Sequence, residues 1–292
     1  MAIAAKIRPR RARLTPSAFA ARFTTHTVIA IICLFWIVPV VGLLVTSFRT
    51  AGDAATTGWW TAFYTPFSFD AYNQAITQGG IGRGLVNSLL VTLPANMTLV
   101  MFAALTAYVF GVMQFKGRDV IFLLVIAMMA LPAQMTLAPL FTLFSAIGLS
   151  GEFASLWIFQ VGFSLPLSVL ILRNFFSSLP TDIFEAADVD GASAARTFFS
   201  IALPLSLPGL FTVLIYQFIH SWNDLLVPLV LIGGGDKAPV TVQIAGLATS
   251  ASADNQTLVA ASALISLVIP LTVFFALQKY YVRGFLSGAV KG

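Results

Sequence analysis

Glu185-Ala186-Ala187-Asp188-Val189-Asp190-Gly191-Ala192 is a polar-edged stretch set between two long apolar runs, and it leads into Ile201-Ala202-Leu203-Pro204 and Leu207-Pro208-Gly209. Asp182, Glu185, Asp188 and Asp190 supply four of the chain's eleven acidic residues. Ala186, Ala187, Ala192, Ala194 and Ala195 favour helix, and Asp182 is a candidate N-cap. Gly191 can take the left-handed conformation that ends one helix and turns the chain. The stretch therefore reads as two short helices broken at Gly191. Pro204 and Pro208 stand where the next long helix begins, a position proline tolerates because the first helical N–H groups lack partners anyway.

The flanks decide the class. The chain of 292 residues is 58% hydrophobic and 9% charged, against about 25% charged in soluble domains. Its mean hydropathy is +0.91. Several runs reach the ~20 apolar residues that cross a hydrocarbon core of about 30 Å. No alternating pattern of barrel strands is visible. The expectation is an all-α polytopic membrane protein with six transmembrane helices and a short cytosolic helix between spans four and five.

The spans are expected at about 27–48, 85–110, 120–144, 153–176, 205–232 and 257–280. Pro132 and Pro139 interrupt the third. The aromatic-rich segment before the second span (Trp59, Trp60, Phe63, Tyr64, Phe67, Phe69, Tyr72) suits the membrane–water boundary. Residues 233–255 read as a polar loop. The first apolar run lacks a small-residue cleavage site and reads as a retained span. In domain terms, 1–26 is a basic cytosolic arm and 27–84 the first span with its extracytoplasmic segment. A membrane core follows over 85–282, with the acidic loop at 178–204, and 283–292 is a cytosolic tail.

Positive charge orients the spans. Lys6, Arg8, Arg10, Arg11, Arg13, Arg22, Lys116, Arg118, Arg173, Arg196, Lys279, Arg283 and Lys291 fall on one side, against Arg49, Arg83 and Lys237 on the other. Thirteen against three places both termini and the acidic loop in the cytosol, beside anionic lipid. On such a chain the basic arm reads as a lipid-facing anchor and not as a nucleic-acid site.

Enzyme chemistry finds no support. No Gly-rich phosphate loop ends in Lys-Ser or Lys-Thr. His26 and His220 lie far apart with a single Cys33, so a zinc site is not expected. His220 and Asp224 fall one helical turn apart, but no nucleophile elbow accompanies them.

Glu185-Ala186-Ala187, Asp190-Gly191-Ala192, Phe199, Ile201 and Leu203-Pro204 together resemble the EAA loop of bacterial ABC importer permeases. The tail Gln278 to Gly292, ending Gly288-Ala289-Val290-Lys291-Gly292, resembles the C-terminus of maltose-type carbohydrate permeases. Further matches are Phe69-Asp70-Ala71-Tyr72, Ala107-Tyr108 with Phe115 to Asp119, Leu131-Pro132 to Pro139-Leu140, and Trp222-Asn223-Asp224 with Pro228-Leu229. The resemblance covers most of the chain from about residue 70.

It implies a bacterial inner-membrane permease subunit that pairs with a second, non-identical permease and sits on two ATP-binding cassette subunits. An extracytoplasmic solute-binding protein delivers the solute. ATP and magnesium belong to the ATPase subunits, and no cofactor is expected in this chain. The residues expected to transmit ATPase motion are Glu185, Ala186, Ala187, Asp188, Asp190, Gly191 and Ala192. Gly288, Ala289, Val290, Lys291 and Gly292 are expected to reach the ATPases as a flexible strand.

Polar residues inside spans are costly and mark pathways or helix contacts. Asp224 is the one acid placed within a span, and Gln217, His220, Trp222 and Asn223 make its neighbourhood polar and aromatic. That mixture suits a sugar. Asn87, Gln134, Trp222, Asn223 and Asp224 are therefore the candidate substrate path, with Asn96 as a further lining residue. The expected cargo is a di- or oligosaccharide, or a glycerol-phosphate-like compound. The alternatives are an ABC permease for another solute class and a proton- or sodium-coupled carrier centred on Asp224.

Overall fold

The computed structural model describes residues 16–249 and 255–289, with side chains from Arg22 onward up to Gln278. Among the described residues every regular element is helical. The order is α1 (Pro16–Ser47), α2 (Ala51–Thr56), α3 (Asp70–Thr77), α4 (Ile81–Gly111), α5 (Arg118–Ala127), α6 (Leu137–Ala146) and α7 (Phe153–Phe176). There follow α8 (Thr181–Val189), α9 (Ala194–Thr197), α10 (Leu203–Leu205), α11 (Leu207–Asn223), α12 (Leu226–Leu231), α13 (Val240–Thr249) and α14 (Gln256–Ala289).

Four stretches are long and apolar enough to cross a membrane: Arg22–Ser47, Ile81–Gly111, Phe153–Phe176 and Gln256–Gln278. Two bent pairs, Arg118–Ala130 with Ala133–Ala146 and Ala194–Leu205 with Leu207–Asn223, raise the count to six if each is one span.

The centre is a parallel pair. At one end of α4 and α7, Arg173 Nε donates to the Phe110 carbonyl at 3.2 Å, and toward the other end Trp157 Nε1 donates to the Leu90 carbonyl at 3.1 Å. Helix α11 runs back along α7, with Gln217 Nε2 donating to Ser164 Oγ at 2.7 Å and Ser221 Oγ to Gln160 Oε1 at 2.8 Å. Only glycine permits the close start of α11, since a Cβ at Gly209 would sit 2.6 Å from the Phe175 ring. Helix α14 packs on α11, and α1 packs on α14 while leaving most of its side chains exposed.

The sequence places the fourth span at residues 153–176, and α7 occupies that range. Other expectations need correction. The third span is two helices meeting at 82°. Pro132 lacks an N–H and forces Leu131 into an extended conformation (ψ 117°), so the helix stops there. Pro139 interrupts nothing, because it lies in the first turn of α6 and withholds only an N–H that has no partner.

The continuous fifth span at 205–232 is also overturned. A 73° bend at Ser206 sets the preceding helical piece, Ala194–Leu205, off from α11, and α11 ends at Asn223. Asp224 is extended and lies between helices, not inside one. Pro228 has no N–H to give the Asp224 carbonyl four residues back; Thr241 Oγ1 donates to that carbonyl instead, at 2.8 Å.

Two loops are more helical than expected. Residues 233–255 contain α13, whose Val240 and Val242 are buried. The tail is no flexible strand as far as Ala289, since Gly288 and Ala289 continue α14. A glycine in a helix costs only about 1 kcal/mol, too little to end a long helix. Val290, Lys291 and Gly292 lie outside the described residues, as do residues 1–15 of the basic arm.

Candidate functional site

Helix α8 is the acidic stretch of the sequence. Its N-cap is Pro180, so Asp182 lies in the first turn and is not the cap; there its charge still favours the helix N-terminus. The helix ends in a left-handed Gly191 (φ 72°). The Ala192 N–H reaches the Ala187 carbonyl at 2.9 Å and the Gly191 N–H the Asp188 carbonyl at 3.0 Å, the two bonds of a Schellman stop. Ser193 caps α9 by accepting from the Arg196 N–H.

The two faces of α8 do different things. Ile183 and Phe184 are half-buried and Ala187 is buried, whereas Asp182, Glu185, Ala186 and Val189 are exposed along positions i, i+3, i+4 and i+7. That is one stripe of a helix. Ala187 therefore belongs to the inward face and not to the outward one. The carboxylates of Asp182, Glu185, Asp188 and Asp190 have no hydrogen-bond or ion-pair partner among the described residues.

Val189 is 88% exposed. A bare apolar side chain among four carboxylates is a feature the sequence reading missed. Its signal was present in the i+3/i+4 spacing from Glu185.

The inward face of α8 is held by rings. Tyr108 of α4 meets Phe198 at 5.3 Å, Phe176 at 6.0 Å and Phe184 at 6.4 Å between centroids. Phe176 and Phe198 are fully buried, in a cluster that also takes in Ala103, Ala107, Leu172, Ala202 and Val213. Phe198 begins a π-helical turn, Phe198–Ala202, that leads into the bend before α11. Edge-to-face ring pairs contribute about 0.5–1.5 kcal/mol each beyond area burial. Through Phe184, α8 touches a cluster whose members come from α4, α7 and α11.

A second feature lies at the two backbone breaks. A cavity of about 540 Å³ is lined by Met128 to Gln134 beside Pro132, by Phe159 to Leu167 of α7, and by His220, Asn223 and Asp224. Three of the five candidate path residues, Gln134, Asn223 and Asp224, share this cavity. Asp224 Oδ1 also accepts from the Val227 N–H at 3.3 Å, which orders the start of α12.

The other two are placed elsewhere. Trp222 is buried and stacks on Phe218 at 5.6 Å. Asn87 is a clamp: its Nδ2 donates to the carbonyls of Asp236 at 2.7 Å and Ala238 at 3.0 Å, while Ser88 Oγ accepts from the Val240 N–H. Asn96 is buried without a side-chain partner among the described residues and does not line the cavity.

The same loop carries two exposed ion pairs, Arg83 with Asp236 and Lys237 with Glu152. Asn87→Ala should destabilise the protein by about 1–3 kcal/mol, because the loop loses two hydrogen bonds of about 0.5–1.5 kcal/mol each. Arg83→Ala should cost about 0–1 kcal/mol, as exposed pairs do. Thermal unfolding of the detergent-solubilised variants checks the order of the two.

Comparison with known proteins agrees with this architecture. Residues 100–286 match the family described as binding-protein-dependent transport system inner membrane component. Over 272 residues the chain is 41% identical to the osmoprotective compounds uptake permease protein GgtD of Synechocystis sp., covering 91% of each chain. It is 40% identical over 256 residues to the alpha-glucoside transport system permease protein AglG of Rhizobium meliloti, covering 85% of this chain and 67% of that one.

Among solved structures, a chain of a bacterial ABC transporter involved in import of the acidic polysaccharide alginate superposes with a TM-score of 0.80. The match has 22% identity and covers 91% of this chain and 98% of that one, which is a likeness of fold. The family match sets aside a proton- or sodium-coupled carrier. The chain belongs to the binding-protein-dependent transport system inner membrane components: it is a permease subunit of an ABC transporter, a membrane component and not an enzyme.

Proposed function

We propose that this subunit forms half of the membrane pathway of an ATP-driven sugar importer, and that α8 is the element through which ATPase motion enters it. The observation that carries the reading is the division of α8. One stripe sets Phe184 against the ring cluster of α4, α7 and the turn before α11, and the other stands exposed with unpaired carboxylates and Val189. A rigid projecting helix of this kind fits a cleft in another subunit. With Asp182, Glu185, Asp188 and Asp190 against Arg196 alone in 178–204, the fitting cleft is basic, with an apolar floor for Val189.

In this reading the partners are a second, non-identical permease, two ATPase subunits and an extracytoplasmic solute-binding protein. Both termini and α8 lie on the cytosolic side, in keeping with the lysine and arginine count. The end of α14 and the residues after it, Gly288 to Gly292, extend toward the ATPases. ATP and magnesium act on those subunits.

The cargo is a sugar, in keeping with the alpha-glucoside named for one relative, with an osmoprotective compound, named for the other, as the second reading. Uptake of labelled sugars by cells carrying the full gene set, with and without this gene, tests the assignment. Loss of uptake that returns when the gene is restored is expected. Unchanged uptake without it would overturn the role.

A further inference from the structure

Helix α1 meets the rest of the chain only near its end. Gly42 and Ser47 are buried, whereas every side chain from Arg22 to Val41 is exposed. Where α1 leaves α14, a groove of about 700 Å³ opens, far from the two backbone breaks. Phe35, Pro39, Gly42 and Thr46 line its α1 side, and Gln256 and Val259 of α14 face them. The Trp59 indole lies against α1 because residue 42 is glycine: an added Cβ would stand 3.1 Å from Nε1.

The groove has the length of one leaflet. From Phe35 to Thr46 the helix rises about 16 Å, half of a hydrocarbon core of about 30 Å. On the lysine and arginine count this is the extracytoplasmic half. The groove is also graded along its length. Phe35, Val38 and Pro39 lie deep, while Thr46 and Gln256 stand at the outer end with Trp59 beside Gly42. The Trp59 N–H has no hydrogen-bond partner among the described residues.

Within a bilayer no hydrophobic gain draws a protein helix into such a groove, since lipid tails are as apolar as leucine. Shape and polar contacts decide the occupant, and a groove left unfilled forfeits dispersion contacts along its lining. A helix crossing the membrane would need facing walls over both leaflets, and these stop at Phe35.

We propose that the groove between α1 and α14 holds one phospholipid of the extracytoplasmic leaflet. Its acyl chain lies along Phe35 to Thr46, and its phosphate or ester oxygens accept from Trp59 Nε1 and the Gln256 amide. No lysine or arginine lines the groove, so a zwitterionic headgroup serves as well as an anionic one, which basic clusters select. The lipid braces α1 against α14. The importer reading is not needed for it.

The test uses the complete transporter in detergent, loaded with phosphatidylethanolamine that carries a diazirine on its acyl chain. Cross-linked residues are mapped before and after a detergent wash. The exposed Ile31 and Phe275 report ordinary boundary lipid. Washing should reduce their labelling about tenfold and leave that of Phe35 to Thr46 and Val259 in place. Val259→Trp fills the groove and should remove the persistent labelling. Trp59→Phe, which keeps a ring and loses the N–H, should speed its loss about threefold to tenfold, the scale of one hydrogen bond.

Equal loss at all positions would overturn the site, and the unsubstituted complex decides this even if Val259→Trp does not assemble. Labelling of Ile31 and Phe275 with none from Phe35 to Thr46, before the wash, would mean that a partner subunit fills the groove. Displacement by phosphatidylglycerol but not by unlabelled phosphatidylethanolamine would overturn the headgroup assignment.

Discussion

Gly191→Pro is expected to abolish solute-stimulated ATP hydrolysis by the assembled transporter. Gly191 holds φ at 72°, and proline fixes φ near −65°, so the Schellman stop cannot form and α8 loses its end. The effect should be graded. An alanine at 191 meets no neighbour within 4 Å, yet a left-handed L-residue costs about 1–2 kcal/mol, so a partial loss is expected. Gly191→Asn should retain most activity, because asparagine visits this conformation readily. Glu185→Lys acts on the other property of the helix, its charge. It should weaken association with the ATPase subunits by about tenfold or more, the scale of a contact worth ~1.4 kcal/mol, whereas Glu185→Gln should weaken it less. Co-purification and hydrolysis rates distinguish the two modes, since Gly191→Ala should assemble and stimulate poorly while Glu185→Lys fails to assemble.

Phe198→Ala should separate hydrolysis from transport. The ring is buried against Tyr108, Phe176 and Phe199, in the cluster that Phe184 of α8 packs on, and it begins the turn that leads from α9 to the bend before α11. Removing a buried phenylalanine costs about 3–5 kcal/mol, which here falls on the joint and leaves the exposed stripe of α8 intact. The expected complex binds its ATPases, hydrolyses ATP and moves little solute. Phe198→Leu refills most of the volume and should recover transport, which distinguishes a loosened joint from a misfolded subunit. Equal ratios of uptake to hydrolysis in wild type and Phe198→Ala would contradict the transmission role.

The residues that were legible in the sequence act locally. Gly191 could be read because a left-handed turn between two alanine-rich pieces needs glycine, and the fourth span because its apolar run ends cleanly at both sides. The breaks were harder. Pro132 was visible, but a proline within an apolar run fits either a kink or a full stop, and Leu131 turning extended decided for the stop. The break at Asp224 depends on a distant partner: the carbonyl that Pro228 leaves free is met by Thr241, seventeen residues further on. No local rule reports that contact.

The candidate path divided for the same reason. Gln134, Asn223 and Asp224 meet only because α5–α6 and α11–α12 break at one place. Trp222 turned to Phe218, and Asn87 turned to a loop carbonyl some 150 positions away, at Asp236 and Ala238. Val189 was hidden by its motif, since attention to the carboxylates and alanines drew it away from the apolar residue that completes their stripe.

The most direct test is a cross-link. In a Cys33→Ser background, Val189→Cys is placed on the outward stripe and Ile183→Cys on the inward one, and each complex is treated with a short bifunctional thiol reagent against a cysteine-substituted ATPase subunit. Cross-linking from position 189 that changes with bound ATP, and none from position 183, is the result predicted for α8 as the point of ATPase docking. Cross-linking from neither position, in a complex that still transports, would contradict it.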